Sequence, residues 1–304
     1  LWASSVAFVL AALSALGAAQ ALLPDVSVTL AWTALALLLI EGALWLEHRA
    51  LHYTAHTVAG CAFARLFVSN FTNNGATGPI SHRLLTVLPV AASFVAAWLR
   101  TRARLYLWAA ATAVAVMLRF EMGRATVIAG WAVMGLALFW LGHRLNLNDL
   151  RWQSYVLAAA VSLRGLAVRH EMPAIAALAV AALYLQEFLA PRDQHSHERF
   201  ARPGYSLAAT LLTAVLLYRG VSGSLLTVAW GIQGVLLLAA GFPLRERVLR
   251  LSGLVVLLVC ILKLFFYDLR HLDTLPRILS FMALGIILMA VSWVYTRYRE
   301  RLRR

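Results

Sequence analysis

Residues 223–268 read GSLLTVAWGIQGVLLLAAGFPLRERVLRLSGLVVLLVCILKLFFYD, which is two long apolar runs separated by the short polar stretch PLRER. The hydrocarbon core of a bilayer is about 30 Å thick, and an α-helix needs about 20 apolar residues to cross it. Neither run alternates apolar and polar residues as a half-buried strand does. Because irregular backbone cannot face lipid, the stretch predicts two membrane-spanning helices joined by a tight polar turn.

The same pattern continues along the whole chain. Of its 304 residues, 62% are hydrophobic and 13% charged, at a mean hydropathy of +0.77. Soluble domains carry about 25% charged residues, so the composition excludes a water-soluble enzyme. The predicted fold is an all-α polytopic integral membrane bundle of about twelve transmembrane helices, forming a single transmembrane domain over residues 1–304 with no soluble domain. The predicted spans are approximately 2–23, 26–47, 50–70, 83–100, 104–121, 125–143, 149–169, 173–190, 204–219, 223–242, 247–268 and 277–297.

The basic residues indicate a partner and an orientation. Twenty-seven Lys and Arg residues against thirteen Asp and Glu give a net charge of +14. Most of these cations lie in short gaps between apolar runs, so we expect them to face anionic membrane lipids at the cytoplasmic face and not nucleic acid. The side that holds both termini carries 17 of the basic residues and the other side carries 7. Because basic loops stay in the cytoplasm, both termini and the 191–203 loop are predicted to be cytoplasmic.

A tryptophan and an intramembrane cation recur at intervals of 99 residues. The tryptophans are Trp32, Trp131 and Trp230, and the cations are Arg65, Arg164 and Lys263. Each interval holds four spans, and an even number of spans gives successive repeats the same orientation. The sequence therefore predicts three parallel four-helix repeats, over approximately residues 1–100, 101–199 and 200–304.

Each cation is expected to lie beside the tryptophan of its own repeat, because the two helices that carry them form an antiparallel hairpin. An indole face stabilises a cation by about 0.5–2 kcal/mol. One interpretation is that this contact only locks the hairpin while the cation reaches the interface. The other is that the cations face an anionic substrate below a polar outer mouth. The predicted substrate-binding set also includes three residues on the outer side, Arg119, Arg219 and Asp268. The alternative interpretation is that these three residues are solvated helix ends.

Glu41 and His56 are predicted to form a polar pair inside the membrane, because counting from the turn places them at the same depth. Such a pair could relay protons or fix the packing of the helices, and ordinary interfacial packing is the alternative. His48, His52 and His56 follow one helix face, but the other repeats have no equivalent histidines. We therefore predict no metal or other cofactor.

Residues Leu225–Arg301 resemble the C-terminal region of a bacterial family of predicted membrane proteins, domain of unknown function 2339. The similar parts are the Trp230–Gly234 step, the Arg250–Gly253 helix start, the Lys263–Asp268 stretch and the Arg277–Gly285 helix start. The segment from Trp131 to Arg164 resembles a second, upstream copy of the same family region. The resemblance implies a long polytopic protein of the bacterial inner (cytoplasmic) membrane and no established activity. Because Leu1 is not a natural start, we expect missing parts of a longer parent chain.

Three functions follow from these patterns. The leading hypothesis is a non-enzymatic protein that binds or translocates an anionic or lipid-linked cell-envelope precursor, with the three cations below an outward mouth. The second is an envelope glycan or lipid transferase at the outer face, using Asp268, Asp273 or Glu121 as base. The third is a structural membrane subunit whose polar residues only fix helix packing.

Overall fold

The fold is predominantly helical in a computed structural model, which describes residues 2–73, 75–78, 80–167, 173–190, 200–268 and 274–302. The α-helices in these ranges are α1 (Trp2–Leu22), α2 (Asp25–Leu46), α3 (Arg49–Arg65), α4 (His82–Thr101), α5 (Arg104–Glu121), α6 (Thr126–Arg144), α7 (Asn148–Ala167), α8 (Pro173–Leu189), α9 (Ala201–Gly220), α10 (Ser224–Gly241), α11 (Arg247–Lys263) and α12 (Thr274–Leu302). A small antiparallel hairpin of β1 (Ala76–Thr77) and β2 (Ile80–Ser81) precedes α4. The predicted all-α class is confirmed.

Several of these helices have the length and composition of membrane spans. Within the described ranges, four segments are long and apolar enough to cross a bilayer, namely Ser27–Leu46, His82–Thr101, Thr126–Arg144 and Arg247–Phe266. Large apolar side chains lie on the outside, as shown by Trp45, which is 86% exposed, and Met289, which is 74% exposed. A surface so rich in exposed apolar side chains suits lipid and not water. The chain is a membrane protein with several apolar helices.

Contacts divide the chain into two compact units, Leu1–Ser154 and Tyr155–Arg304. The core of the first unit is formed by α2, α3, α4 and α5, with Ile40, Val58 and Phe94 buried among them. In the second unit α10 and α11 approach each other through glycine, because a Cβ atom on Gly253 would lie 2.8 Å from the carbonyl oxygen of Gly234. Small residues permit this close approach of backbones, which is typical of helix pairs in membranes.

Three tight helix-to-helix turns share one backbone conformation. The chain takes a left-handed residue at Glu47, Asn146 and Arg245, with φ of 51°, 53° and 53°. In the second and third of these turns the N–H that follows the left-handed residue donates to the carbonyl oxygen of a glycine five residues earlier, from Leu147 to Gly142 at 2.9 Å and from Glu246 to Gly241 at 3.1 Å. This is the Schellman arrangement, which satisfies the last carbonyls of a helix and reverses the chain.

The tryptophans of the 99-residue interval make the same hydrogen bond. Each indole N–H donates to the carbonyl oxygen 16 residues earlier, from Trp32 to Leu16 at 3.2 Å, from Trp131 to Ala115 at 2.8 Å and from Trp230 to Ala214 at 3.0 Å. Each bond joins a helix to the helix before it, which are α2 and α1, α6 and α5, and α10 and α9. The tryptophans therefore tie neighbouring helices together within each unit.

A single turn of π-helix extends both α3 and α11. The two turns, Leu66–Asn70 and Leu264–Asp268, are 198 residues apart and directly follow Arg65 and Lys263. The first residue of each turn is buried, with Leu66 at 0% and Leu264 at 3% exposure. Single π turns are rare and commonly occur where a helix must re-aim side chains.

Candidate functional site

The second unit contains an apolar cavity of about 670 Å³ between α8, α9, α10 and the start of α11. Its walls are mainly aliphatic and include Val180, Leu217, Ile232 and Leu236. The residues of α9 that line it run from Arg202 to Leu217, a helix length of about 22 Å. One lipid chain occupies about half of the ~30 Å hydrocarbon core, so the cavity is long enough for an alkyl chain.

One end of the cavity carries a cluster of three charged side chains, Glu187, Arg202 and Glu246. Arg202 Nη1 lies 3.0 Å from Glu246 Oε1, and the two side chains are only 11% and 18% exposed. Glu187 is 4% exposed and lies within electrostatic range of both. Two carboxylates face one guanidinium, so Arg202 holds together a cluster that would otherwise repel itself.

The sequence brings these three charges together through helix ends. Glu187 lies in the last turn of α8, Arg202 is the second residue of α9, and Glu246 directly precedes α11. All three helix ends meet on one side of the unit because α8–α9 and α10–α11 are both antiparallel hairpins.

The wall of the cavity also offers unused hydrogen-bonding groups. Gln233 donates through Nε2 to the carbonyl oxygen of Thr210 at 3.0 Å. Among the described residues, the buried atoms Gln233 Oε1 and Arg202 Nε have no hydrogen-bond partner. Apolar walls with a few convergent polar groups are the usual form of a ligand site. The arrangement suits an amphipathic molecule that has an apolar chain and a hydrogen-bonding head.

Trp32 and Arg65 are neighbours, as the hairpin geometry predicted. The guanidinium carbon of Arg65 lies 5.3 Å from the centre of the Trp32 ring, within the range of a cation–π contact. The same guanidinium also forms an ion pair with Asp25 at 3.1 Å, and the Arg65 side chain is only 12% exposed. Arg65 therefore joins the end of α3 to the start of α2.

Lys263 binds at the equivalent place but through different groups. Its ammonium donates to Thr227 Oγ1 at 2.9 Å and to the carbonyl oxygen of Gly223 at 3.4 Å, at the start of α10. Gly223 is 198 residues after Asp25, so both cations contact the start of the preceding helix. Among the described cation–π contacts, none joins Lys263 to Trp230.

The other residues of the predicted binding set lie apart from the cavity. Arg119 is exposed at the end of α5, and Arg219 is exposed on α9, where it donates to the carbonyl oxygen of Leu166. Arg164 lies near the end of α7; its predicted contact with Trp131 joins residues of different units and stays a prediction. Asp268 ends the second π turn, and its side chain, like Asp273, lies outside the described part of the chain.

Glu41 and His56 each have a different polar partner instead of a direct hydrogen bond between them. Glu41 Oε1 lies 2.6 Å from Arg100 Nε at the far end of α4. His56 Nδ1 lies 2.5 Å from the hydroxyl of Tyr106 on α5. Among the described residues no group of three His, Cys, Asp or Glu side chains could hold a metal ion.

Arg83, predicted to lie on the outer side of the membrane, ties the loop before α4 to the end of α5. Arg83 donates to the carbonyl oxygens of Phe71 at 2.9 Å and Phe120 at 3.1 Å. It also lies 3.6 Å from a carboxylate oxygen of Glu121, while the Phe71 and Phe120 rings stack at 5.5 Å. Glu121, a predicted base, is thus engaged by Arg83.

The candidate residues predicted from the sequence do not include Glu187, Gln233 or Glu246. A signal was present, because α8 and α10 are otherwise apolar, and a carboxylate or amide inside an apolar span is costly unless it has a function or a partner. Which of these groups meet depends on how four helices pack, and hydropathy does not contain that information.

Comparison with known families agrees with this helical membrane architecture. Residues 205–298 match the model of a family described as predicted membrane protein (DUF2339). The resemblance predicted from the sequence is therefore confirmed for this segment, which includes Gln233 and Glu246. Comparisons with curated proteins and with solved structures found no match.

Proposed function

We propose that this membrane protein binds a lipid-linked molecule of the cell envelope in the cavity between α8 and α11, as a binding or translocation step. The observation that carries the proposal is an apolar cavity of about 670 Å³ with Glu187, Arg202 and Glu246 at one end. The alkyl chain would lie along α9 and α10. The head group would meet the charged cluster, where Arg202 Nε can donate and Gln233 Oε1 can accept.

The charges favour one kind of head group. Arg202 is already paired with Glu246, and the carboxyl group of Glu187 lies beside the pair, so the cluster offers a simple anion no unpaired cation. Hydroxyl groups both donate and accept, and they can therefore bind carboxylates, amide and guanidinium together. Of the predicted anionic and lipid-linked ligands, the cavity favours a lipid with an uncharged, hydroxyl-rich head.

Photo-crosslinking with two matched amphiphiles tests the proposed ligand class. The protein in lipid nanodiscs is labelled with a diazirine-bearing dodecyl maltoside, and the adducts are mapped by mass spectrometry. We expect labelling on α8–α11, at least tenfold reduced in Ile232→Trp, which fills the cavity. Unlabelled dodecyl maltoside should compete better than dodecyl phosphate, which has the same chain and an anionic head.

Val228→Trp is the matched control, because Val228 is also exposed on α10, at 43% against 53% for Ile232, and does not line the cavity. Labelling that is unchanged in Ile232→Trp, or that maps to other helices, would contradict the proposal.

The twelve helices are proposed to span the membrane as three parallel four-helix repeats within a single domain. Support comes from the indole hydrogen bonds of Trp32, Trp131 and Trp230 and from the three left-handed turn residues, which recur at the predicted interval. Within these repeats Arg65 and Lys263 contact their own hairpins, which supports the hairpin-locking interpretation of the cations. The substrate-facing interpretation stays a prediction.

The orientation proposed from the arginine distribution places both termini in the cytoplasm of a bacterial cell, with the protein in the inner membrane. In a background of Cys61→Ala and Cys260→Ala, the variant Ser196→Cys should react with a membrane-impermeant maleimide only after the cells are permeabilised. Thr72→Cys, which is exposed in the loop before β1, should react in intact cells. The reverse pattern would exclude this orientation.

The contacts support the two alternative functions unequally. A transferase at the outer face has no described pair of carboxylates to support it there, since Glu121 is engaged by Arg83. A structural subunit is supported by the local contacts of Arg65 and Lys263. The crosslinking experiment separates that role from ligand binding, because a purely structural subunit would give no cavity-specific adduct.

A further inference from the structure

The first and third repeats carry equivalent grooves on their outer surface. One groove, of about 380 Å³, lies between α1 and α3, and the other, of about 670 Å³, lies between α9 and α11. Every residue that lines the first groove has a counterpart 198 residues later in the lining of the second. Examples are Val9 with Leu207, and Thr57 with Val255. A groove that recurs position by position is a feature of the repeat and not an accident of packing.

Both grooves are apolar and open toward the surface. Tyr53 is 73% exposed and its counterpart Leu251 is 61% exposed. An open apolar groove on the surface of a membrane protein faces the acyl chains of the bilayer, which are as apolar as the groove. The groove between α9 and α11 shares no lining residue with the cavity between α8 and α11, and the groove between α1 and α3 lies in the first unit, so both grooves are separate from that cavity.

An arginine stands at the same end of each groove. Arg49 and Arg247 are the first residues of α3 and α11, adjacent to the lining residues Ala50 and Val248. Both arginines are exposed, and neither forms an ion pair with any residue in the described part of the chain. An exposed guanidinium that forms no ion pair, at the start of a helix that lines an apolar groove, complements a phosphate attached to an acyl chain.

The second repeat differs at these positions. Asn148 takes the place of the arginine at the start of α7, and Trp108 and Trp152 take the places of Val9 and Tyr53. The second repeat therefore lacks the charge and carries larger side chains where the groove lies in the other two.

We infer that each of the two grooves binds one anionic phospholipid, with the phosphate at Arg49 or Arg247 and an acyl chain along the groove. The two sites are independent of the proposed ligand cavity, so either can fail without the other. The arginine provides selectivity for the headgroup and the groove holds the chain.

Native mass spectrometry of the delipidated protein, titrated with phosphatidylglycerol or phosphatidylcholine, tests the inference. We expect two tightly retained phosphatidylglycerol molecules, one fewer in Arg49→Gln, one fewer in Arg247→Gln and none in the double variant. Thr57→Trp and Val255→Trp, which fill the grooves but keep the arginines, should each remove one lipid as well. Both positions are exposed, so these variants are expected to fold.

Asn148→Gln is the matched control at the equivalent helix start and should retain both lipids. Inorganic phosphate should not displace them, because it has no chain to occupy the groove. Equal retention of phosphatidylcholine, or two bound lipids in the double arginine variant, would overturn the inference. Retention that depends on the arginines but not on Thr57→Trp and Val255→Trp would refute the groove as the binding site of the chain.

Discussion

Replacing Arg202 with Met is expected to lower the free energy of unfolding by about 3–5 kcal/mol, because it leaves buried carboxylates without their cation. Arg202 and Glu246 are 3.0 Å apart and mostly buried, and Glu187 is buried beside them. The loss is measured as a shift of the unfolding transition in mixed micelles titrated with a denaturing detergent. Glu246→Met should lower the free energy of unfolding by less than Arg202→Met does, since Arg202 then still faces Glu187.

The double variant Arg202→Met with Glu246→Met should recover part of the loss, because only Glu187 remains to be neutralised. Arg100→Met provides the control, since Arg100 pairs with Glu41 at 2.6 Å but the two side chains are 61% and 47% exposed. An exposed pair contributes about 0–1 kcal/mol. If Arg202→Met and Arg100→Met had equal effects, the charged cluster would be solvated in the membrane, and its role as the polar end of a dry cavity would be wrong.

Hydropathy was enough to locate the helices. The predicted span 104–121 coincides with α5, and the predicted span 247–268 coincides with α11 and its π turn. Lipid imposes this regularity, because every backbone group in the bilayer must be hydrogen-bonded within the helix. The π turns themselves were not predicted, since one inserted residue leaves the apolar pattern unbroken.

Contacts within one hairpin were partly predictable. Depth counting placed Arg65 beside Trp32, and the contact is present at 5.3 Å. For Lys263 the structure describes contacts with the Thr227 hydroxyl and the Gly223 carbonyl at the start of α10, and its predicted contact with Trp230 stays a prediction. Glu41 and His56 were expected to pair because they lie at equal depth, but two residues at one depth can point to different neighbours. Here Glu41 contacts Arg100 and His56 contacts Tyr106.

The candidate site was the least predictable part. Glu187 and Glu246 are far apart in sequence and both lie at helix ends, where a charged residue is usually solvated. Their burial results from the packing of α8 and α9 against α10 and α11. Such an arrangement is a property of several helices together, and no single span carries a signature of it.

The glycines of the second and third turns allow a test of the repeat itself. A Cβ atom on Gly142 would lie 3.0 Å from the backbone nitrogen of Arg151, and one on Gly241 would lie 3.0 Å from that of Arg250. We therefore expect Gly142→Leu and Gly241→Leu each to destabilise the protein by about 1–3 kcal/mol, the usual cost of overpacking. Because the obstacle is backbone, the helices must separate to relieve it.

The comparison between sites makes this prediction specific. The first repeat has Ala43 at the equivalent position, fully buried, so alanine at Gly142 or Gly241 should cost clearly less than leucine. Gly60→Leu and Gly285→Leu are the controls, since a Cβ atom at either glycine would meet nothing within 4 Å. When the six variants are unfolded with detergent, Gly142→Leu and Gly241→Leu should be the two least stable and should lose similar amounts of stability. A difference between Gly142→Leu and Gly241→Leu of more than about 2 kcal/mol, the width of the range expected for overpacking, would show that the two hairpins are not equivalent. The proposed 99-residue repeat would then lose this structural support.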